Sequence, residues 1–228
     1  MPLNAKLLTE FAGTFIFLTV ISLSANAGPL APLAIGVALM AMVYMGGHVS
    51  GAHYNPAASF GLFLRGVINA STMAAYWATQ LLAGILAFAL GYLLTGNASG
   101  VHPGGGVFWS SALAAEVLFT TALVLVILNV AATKQTAGNS FYGLAIGATV
   151  MAGAYVVGPI SGAAFNPAMG IGATLASALF AHGGWSDLWL YIAGPLAGAA
   201  LAAAIHRTQT LRGPVPPEIS ESRAPDLQ

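Results

Sequence analysis

The chain has 228 residues, of which 57% are hydrophobic and 5% charged, and its six Lys or Arg balance six Asp or Glu. So few charges cannot cover the surface of a soluble domain, and the composition therefore predicts an integral membrane protein. The net charge is zero and no basic patch points to nucleic acid. Without cysteine the chain has no disulfide, thiol chemistry or Cys-based metal site.

Six apolar stretches are long enough, or nearly so, to cross a bilayer as helices. In chain order they are Leu7–Ala25, Ala31–Gly47, Ser71–Thr95, Trp109–Val130, Phe141–Gly158 and Leu188–Ile205. We therefore predict an all-α membrane protein. A tail from 208 to 228 follows, with four prolines and mixed charge. We expect it to be a mobile cytoplasmic extension.

Two short motifs lie between the long stretches. Ser50–Gly61 reads SGAHYNPAASFG and Ser161–Gly172 reads SGAAFNPAMGIG, so each contains Asn-Pro-Ala: Asn55, Pro56, Ala57 and Asn166, Pro167, Ala168. Asn is a favoured helix N-cap and Pro a favoured first helical residue. The apolar runs after the triplets end near Leu64 and Leu179. We predict two half-helices, since about 10 residues give about 15 Å, half of a hydrocarbon core of about 30 Å.

The two halves of the chain repeat. When residues 32–61 are aligned with residues 143–172, a shift of 111 positions, 15 of the 30 positions are identical. Glu10 and Thr14 also match Glu116 and Thr120 in residue type and spacing. Three spans per half give the second copy the opposite direction through the membrane, and broken helices in matching places of such a repeat indicate a site near the midplane. We predict one channel domain over residues 1–207, with repeats at about 5–95 and 109–206.

The basic residues predict the orientation. With a cytoplasmic N-terminus all six fall on the cytoplasmic side, and the opposite loops contain no Lys or Arg. We expect a multi-pass protein of the plasma membrane (the inner membrane of a bacterium) with both termini inside.

Two half-helix N-termini that meet at the midplane each carry roughly half a positive charge. They repel cations and hydrated protons while a neutral solute passes. The Asn55 and Asn166 amides can donate hydrogen bonds to that solute while their oxygens cap the half-helices.

The doubled SGAxxNPA motif, its spacing, a Gly47-His48 turn before the first copy and a Glu near the start of each half resemble the aquaporin (major intrinsic protein) family. The resemblance covers residues 5 to 206. It implies an hourglass pore in each subunit, a homotetramer, and passive flow of water or small neutral solutes. We expect no cofactor, metal or nucleic acid.

One position departs from the family pattern. Most members have Arg directly after the second triplet, and this chain has Met169. Carried over from the family, the selectivity filter is Ile35, Ala154, Ala163 and Met169, a wider, apolar ring without fixed charge. The resemblance thus implies passage of larger neutral solutes such as glycerol, urea, ammonia or metalloid hydroxides.

Two carboxylates lie inside predicted spans, where a charge is costly and usually functional. For Glu10 and Glu116 a proton or ion relay competes with a structural role, favoured by the resemblance, in which each accepts N–H groups of the neighbouring re-entrant loop. The resemblance places His48 at the cytoplasmic pore mouth, and His53 is expected to pack the loop.

Three other functions compete with a passive channel. A secondary transporter also uses inverted repeats and broken helices, an ion channel is suggested by the missing Arg, and a scaffold would conduct nothing. An enzyme is not indicated, since no nucleophile–base pair, phosphate loop or metal-ligand cluster appears in the sequence.

Overall fold

The structure is a computed structural model that describes residues 1–98 and 100–211. These residues form eight α-helices and no strand, which confirms the all-α prediction. The helices are α1 (Leu3–Leu23), α2 (Ala31–Ser50), α3 (Pro56–Leu64), α4 (Ala70–Thr95), α5 (Trp109–Ala131), α6 (Tyr142–Ser161), α7 (Pro167–Phe180) and α8 (Leu190–Leu211). Two 3-10 turns, Ser24–Leu30 and Lys134–Thr136, connect α1 to α2 and α5 to α6.

Six of the helices can span a membrane. In the part of the chain described, five continuous helical stretches are long and apolar enough, and the first, Leu3–Ser50, has 48 residues. A single helix of that length would measure about 72 Å against a hydrocarbon core of about 30 Å. It is broken at Gly28, whose φ of 54° is not helical, and α1 packs against α2. The stretch is therefore two antiparallel spans.

The two short helices pack into the opposite halves of the chain. α3, from the first repeat, packs against α8 and α5 as well as against its neighbour α4, and α7, from the second repeat, packs against α4. The long helices α1 and α4 pair in the first half, and α5 and α8 pair in the second. The short helices thus join the two repeats in the middle of the protein.

Glycines allow close contact between equivalent elements. A Cβ at Gly36 in α2 would lie 2.8 Å from the Gly147 carbonyl oxygen in α6, and a Cβ at Gly147 would collide with the Gly36 carbonyl oxygen. These glycines are 111 positions apart, so each contacts its own repeat partner. Such reciprocal contact places α2 and α6 about a pseudo-two-fold axis, as an inverted repeat requires.

Several predicted boundaries were wrong by a few residues. α2 and α6 continue to Ser50 and Ser161, so Gly47 and His48 lie in the last turn of α2 and form no turn of their own. Each helix ends at a glycine that can adopt a left-handed conformation, Gly51 with φ of 93° and Gly162 with φ of 86°. α8 continues to Leu211, into the predicted tail, and residues 212–228 lie outside the described residues.

We predict that Gly147→Ala lowers the free energy of unfolding by roughly 1–3 kcal/mol, the usual cost of overpacking. The added methyl would meet the backbone of α2, which cannot move aside as a flexible side chain can. The measurement is the midpoint of thermal unfolding of the purified protein in one detergent.

Gly158→Ala is the matched control in the same helix, since a Cβ there has nothing within 4 Å among the described residues. Because Ala is favoured over Gly in helices by roughly 0.5–1 kcal/mol, this variant should be unchanged or slightly more stable. Equal midpoints for the two variants would contradict the close approach of α2 and α6.

Candidate functional site

Both Asn-Pro-Ala triplets begin a helix. The Asn55 Oδ1 accepts a hydrogen bond from the Ala57 N–H at 2.8 Å, and the Asn166 Oδ1 accepts one from the Ala168 N–H at 2.9 Å. Both asparagines have extended backbone, as an N-cap does. The positive ends of the α3 and α7 dipoles therefore lie at these two residues.

The same two side chains link the re-entrant loops. The Asn55 Nδ2 donates to the Phe165 carbonyl at 2.8 Å, and the Asn166 Nδ2 donates to the Tyr54 carbonyl at 3.0 Å. Tyr54 and Phe165 are repeat partners, 111 positions apart, so the exchange is reciprocal. These bonds use one N–H of each amide, and the other remains for a molecule beside it.

The loops before the triplets have an unusual backbone. Ala52 and Tyr54 have φ of 51° and 48°, and their repeat partners Ala163 and Phe165 have φ of 51° and 49°. A left-handed conformation costs a residue with a Cβ about 1–2 kcal/mol. It persists only where surrounding contacts over-determine it, and two buried carboxylates supply such contacts.

Glu10 and Glu116 are fully buried and hold the two loops. Glu10 Oε1 accepts from the His53 N–H at 2.9 Å, and Oε2 accepts from the Tyr54 N–H at 2.8 Å. In the second half, Glu116 Oε1 accepts from the Ala164 N–H at 3.0 Å, and Oε2 accepts from the Phe165 N–H at 2.7 Å. Ser50 and Ser161 donate their hydroxyls to the same carboxylates at 2.6 and 2.7 Å.

Sequence reasoning missed two tyrosines that complete this support. The Tyr76 hydroxyl donates to the Ser50 carbonyl, and the Tyr191 hydroxyl donates to the Ser161 carbonyl, each at 2.7 Å. The two tyrosines are 115 positions apart, and the repeat therefore extends into α4 and α8 with an offset of four residues. Aligning the repeats beyond Gly61 with that offset would have found them.

A cavity of about 330 Å³ runs past the junction of the two loops. Asn55 and Asn166 both line it. The rest of the lining comes mainly from apolar residues of both halves, with Phe17, Val43 and Phe88 from the first and Ile127, Ile146 and Val150 from the second. A continuous space between the repeats, with two positive helix ends beside it, suits a neutral polar molecule better than a cation.

The four residues of the expected filter are all among the residues that line this cavity. Ile35, Ala154, Ala163 and Met169 line this cavity, and Met169 is 7% exposed. His48 is exposed in the last turn of α2 and is not among the described residues that line the cavity. His53, in contrast, lines the cavity and is buried.

The Lys and Arg side chains of the described residues are not among the residues that line the cavity. Arg65, at the end of α3, donates from Nε to the His206 Nδ1 at 2.9 Å and from Nη2 to the Thr210 hydroxyl at 3.1 Å. Both partners lie near the end of α8, so this guanidinium is engaged there. The asparagine amides contribute polar groups to the cavity lining, which has no Lys or Arg among the residues that the structure describes.

Comparisons with known proteins agree with this geometry. The family model described as "Major intrinsic protein" matches residues 2–206. Aquaporin NIP1-1 of Zea mays is 33% identical over 214 residues, which cover 89% of this chain and 74% of the relative. A probable aquaporin TIP-type alpha of Phaseolus vulgaris is 36% identical over 227 residues, covering 92% and 87%. The X-ray structure of the aquaglyceroporin from Plasmodium falciparum shares the fold, with a TM-score of 0.78 at 20% identity over 90% of this chain and 96% of that one.

Fold and site together define a membrane channel with two re-entrant half-helices. The chain belongs to the major intrinsic protein family, whose members are channels and not enzymes. It is a multi-pass membrane protein that passes water and small solutes passively. The predicted family, fold class and passive transport are thereby confirmed.

We predict that Glu10→Gln destabilises the protein by roughly 1–3 kcal/mol for each loop donor left without an acceptor. In the wild type, the two carboxylate oxygens of Glu10 accept from the His53 and Tyr54 N–H groups. The Gln side chain keeps only one of these oxygens, and its NH₂ group would face the other N–H, which is also a donor. The midpoint of thermal unfolding in detergent measures the loss.

Thr14→Val is the control on the same helix. Thr14 is fully buried, and its hydroxyl has no hydrogen-bond partner among the described residues, so replacing it with a methyl should leave stability unchanged or raised. If Glu10→Gln unfolded at the wild-type temperature, the carboxylate would not be what holds the loop.

Proposed function

We propose that Ile35, Ala154, Ala163 and Met169 form the selectivity filter, and that this filter passes small neutral solutes such as glycerol or urea together with water. The observation that carries the proposal is that all four line one cavity and none has a charged or hydrogen-bonding side chain. An apolar ring offers little to replace the hydration shell of an ion, whereas a neutral solute needs fewer replacement hydrogen bonds.

We infer that the two Asn-Pro-Ala motifs form the polar centre of the pore. Asn55 and Asn166 line the cavity, and each retains an N–H beyond the one given to the opposite loop. The helix ends that they cap repel cations without any titratable group. Pro56, Ala57, Pro167 and Ala168 support this role as the first turns of α3 and α7.

The finer assignments of orientation and assembly are also proposals. We propose that both termini are cytoplasmic, that residues 1–207 form the channel domain, and that the channel is a homotetramer. Hydrogen bonds from Arg65 to residues near the end of α8 support the orientation, since they join two of the basic segments at one end of the protein. The placement of His48 at the cytoplasmic pore mouth remains a prediction from the sequence. The location in the plasma membrane (the inner membrane of a bacterium) also remains a prediction from the sequence.

Stopped-flow light scattering on proteoliposomes tests the filter. Permeabilities to water, glycerol and urea are compared with those of empty vesicles, and solute flux is followed against its gradient. We expect water and solute flux that rise linearly with the gradient and do not depend on an ion gradient. Water flux alone would show that the filter is narrower than its residues indicate, and saturable, ion-coupled flux would contradict a passive pore.

We predict that Met169→Arg lowers glycerol permeability relative to water permeability by at least about tenfold, the effect of about 1.4 kcal/mol on a barrier. The guanidinium narrows the ring and adds a hydrated charge where Met169 is apolar. The ratio of the two permeabilities in the same vesicles is the measurement.

Met169→Leu is the matched control, because it keeps an apolar side chain of similar volume. Its permeability ratio should equal that of the wild type. An unchanged ratio in Met169→Arg would show that Met169 does not line the constriction.

A further inference from the structure

One sulfur-containing side chain lines the cavity. The chain has seven methionines and no cysteine, and Met169 is the only one of these methionines among the described residues of the cavity lining. It follows Pro167 and Ala168 in the first turn of α7, and its repeat partner is Ala58. A thioether is a soft, polarizable group that a peroxide oxidises to a sulfoxide. The lining therefore has one oxidisable sulfur, on the second-repeat side.

The cavity lets a small neutral oxidant reach this side chain. Met169 is 7% exposed, and the amides of Asn55 and Asn166 contribute polar groups to the same lining. Hydrogen peroxide is uncharged, is only slightly larger than water and forms the same kinds of hydrogen bonds. The helix ends that oppose a cation do not oppose a neutral molecule. A space that admits water and small neutral solutes therefore brings hydrogen peroxide to a methionine inside the protein.

Other methionines of the described residues have different surroundings and do not line the cavity. Met151 packs in the close contact between α6 and α2, where a Cβ added to Gly36 would collide with the Met151 Cβ. Met40 packs in the same contact, against Gly147. Met1, in contrast, is 74% exposed at the N-terminus. One sample thus contains an exposed methionine, a cavity methionine and methionines packed between helices, and their oxidation can be compared directly.

The first turn of α7 favours an oxygen atom on this side chain. The Asn166 Oδ1 accepts from the Ala168 N–H at 2.9 Å, and the Asn166 carbonyl accepts from the Gly170 N–H at 3.0 Å. The Met169 N–H lies between them in the chain and has no acceptor among the described residues, as is usual in a first helical turn. A sulfoxide oxygen on Met169 would be near the positive end of the α7 dipole. Oxidation of Met151 would instead put an oxygen into an apolar helix contact.

We propose that Met169 is an oxidation site, at which hydrogen peroxide in the cavity converts the thioether to a sulfoxide and so narrows the filter. The sulfur lone pair attacks one peroxide oxygen, an S–O bond forms and the O–O bond breaks. Sulfur is oxidised and the peroxide is reduced by the same electron pair. The hydrogen of the transferred oxygen moves to the leaving oxygen, which departs as water. Methionine sulfoxide reductases reverse this oxidation.

The effect on transport rests on the proposed filter, because Met169 can narrow the passage only if it lines the constriction. The added oxygen occupies space and binds water in a ring that is otherwise apolar, and both pore diameter and lining groups set selectivity. Glycerol is wider than water, so its passage is reduced more. Oxidation of Met169 therefore lowers the ratio of glycerol to water permeability.

Mass spectrometry tests the modification. The full chain in proteoliposomes is exposed to hydrogen peroxide for increasing times, quenched with catalase and digested, and the sulfoxide fraction is measured at each methionine. We expect Met169 to be oxidised together with Met1 and before Met151. Ala154→Phe fills the cavity from α6 and should slow the oxidation of Met169 without changing that of Met1. If this variant does not fold, the order of oxidation in the wild type decides.

Stopped-flow light scattering on the same vesicles tests the effect. Peroxide treatment should lower the glycerol-to-water permeability ratio of the wild type by at least about twofold, the effect of about 0.4 kcal/mol on a barrier. Met169→Leu has no sulfur at this position and is the matched control, so treatment should not change its ratio. Met151→Leu keeps Met169 and should respond to peroxide as the wild type does.

Three results would overturn the proposal. They are oxidation of Met169 no earlier than that of Met151, an oxidised Met169 with an unchanged permeability ratio, and an equal fall of the ratio in Met169→Leu. Failure of the filter proposal gives a different result, since untreated vesicles would then pass water and no glycerol. The order of oxidation would still decide whether Met169 is the modified residue.

Discussion

The structure depends on the contact between two re-entrant loops deep inside the helical frame. Asn55 and Asn166 each give one hydrogen bond to the opposite loop and accept one from their own helix. A backbone that leaves the helix at membrane depth must satisfy its polar groups within the protein. Two buried carboxylates accept hydrogen bonds from the loop N–H groups, and each asparagine amide donates a hydrogen bond to one carbonyl of the opposite loop. If these bonds were lost, left-handed residues would lie in an apolar environment without compensation.

This arrangement explains how a pore can discriminate with very few charges. The N-termini of α3 and α7 point to the same space, and their dipoles oppose the entry of a cation. One amide hydrogen remains on each of Asn55 and Asn166, and we propose that it serves a neutral molecule. No step requires a proton to move or a covalent bond to form, which fits a passive channel and not an enzyme. Glu10 and Glu116 are occupied as acceptors of loop donors and are fully buried.

Symmetry of the backbone and asymmetry of the lining have different origins. The loops, their left-handed residues, their carboxylates and their tyrosines are repeated because both copies meet the same need for hydrogen bonds in an apolar surrounding. Side chains that face the cavity are free of that need. Met169 therefore has Ala58 as its repeat partner, and His53 has Ala164. Solute preference can change in such a channel without disturbing the frame that carries it.

The sequence by itself determined the six spans, the two half-helices and their caps, the repeat, and the family resemblance. These depend on local chemistry: apolar length, Asn followed by Pro, and identical residues at constant spacing. Tertiary structure decided which residues meet. The helices are apolar on most sides, so periodicity does not mark the face that lines the cavity. Hydrogen bonds between residues 110 positions apart, such as Asn55 to Phe165, and the placement of Gln80 beside Glu10 arise only when the repeats pack together.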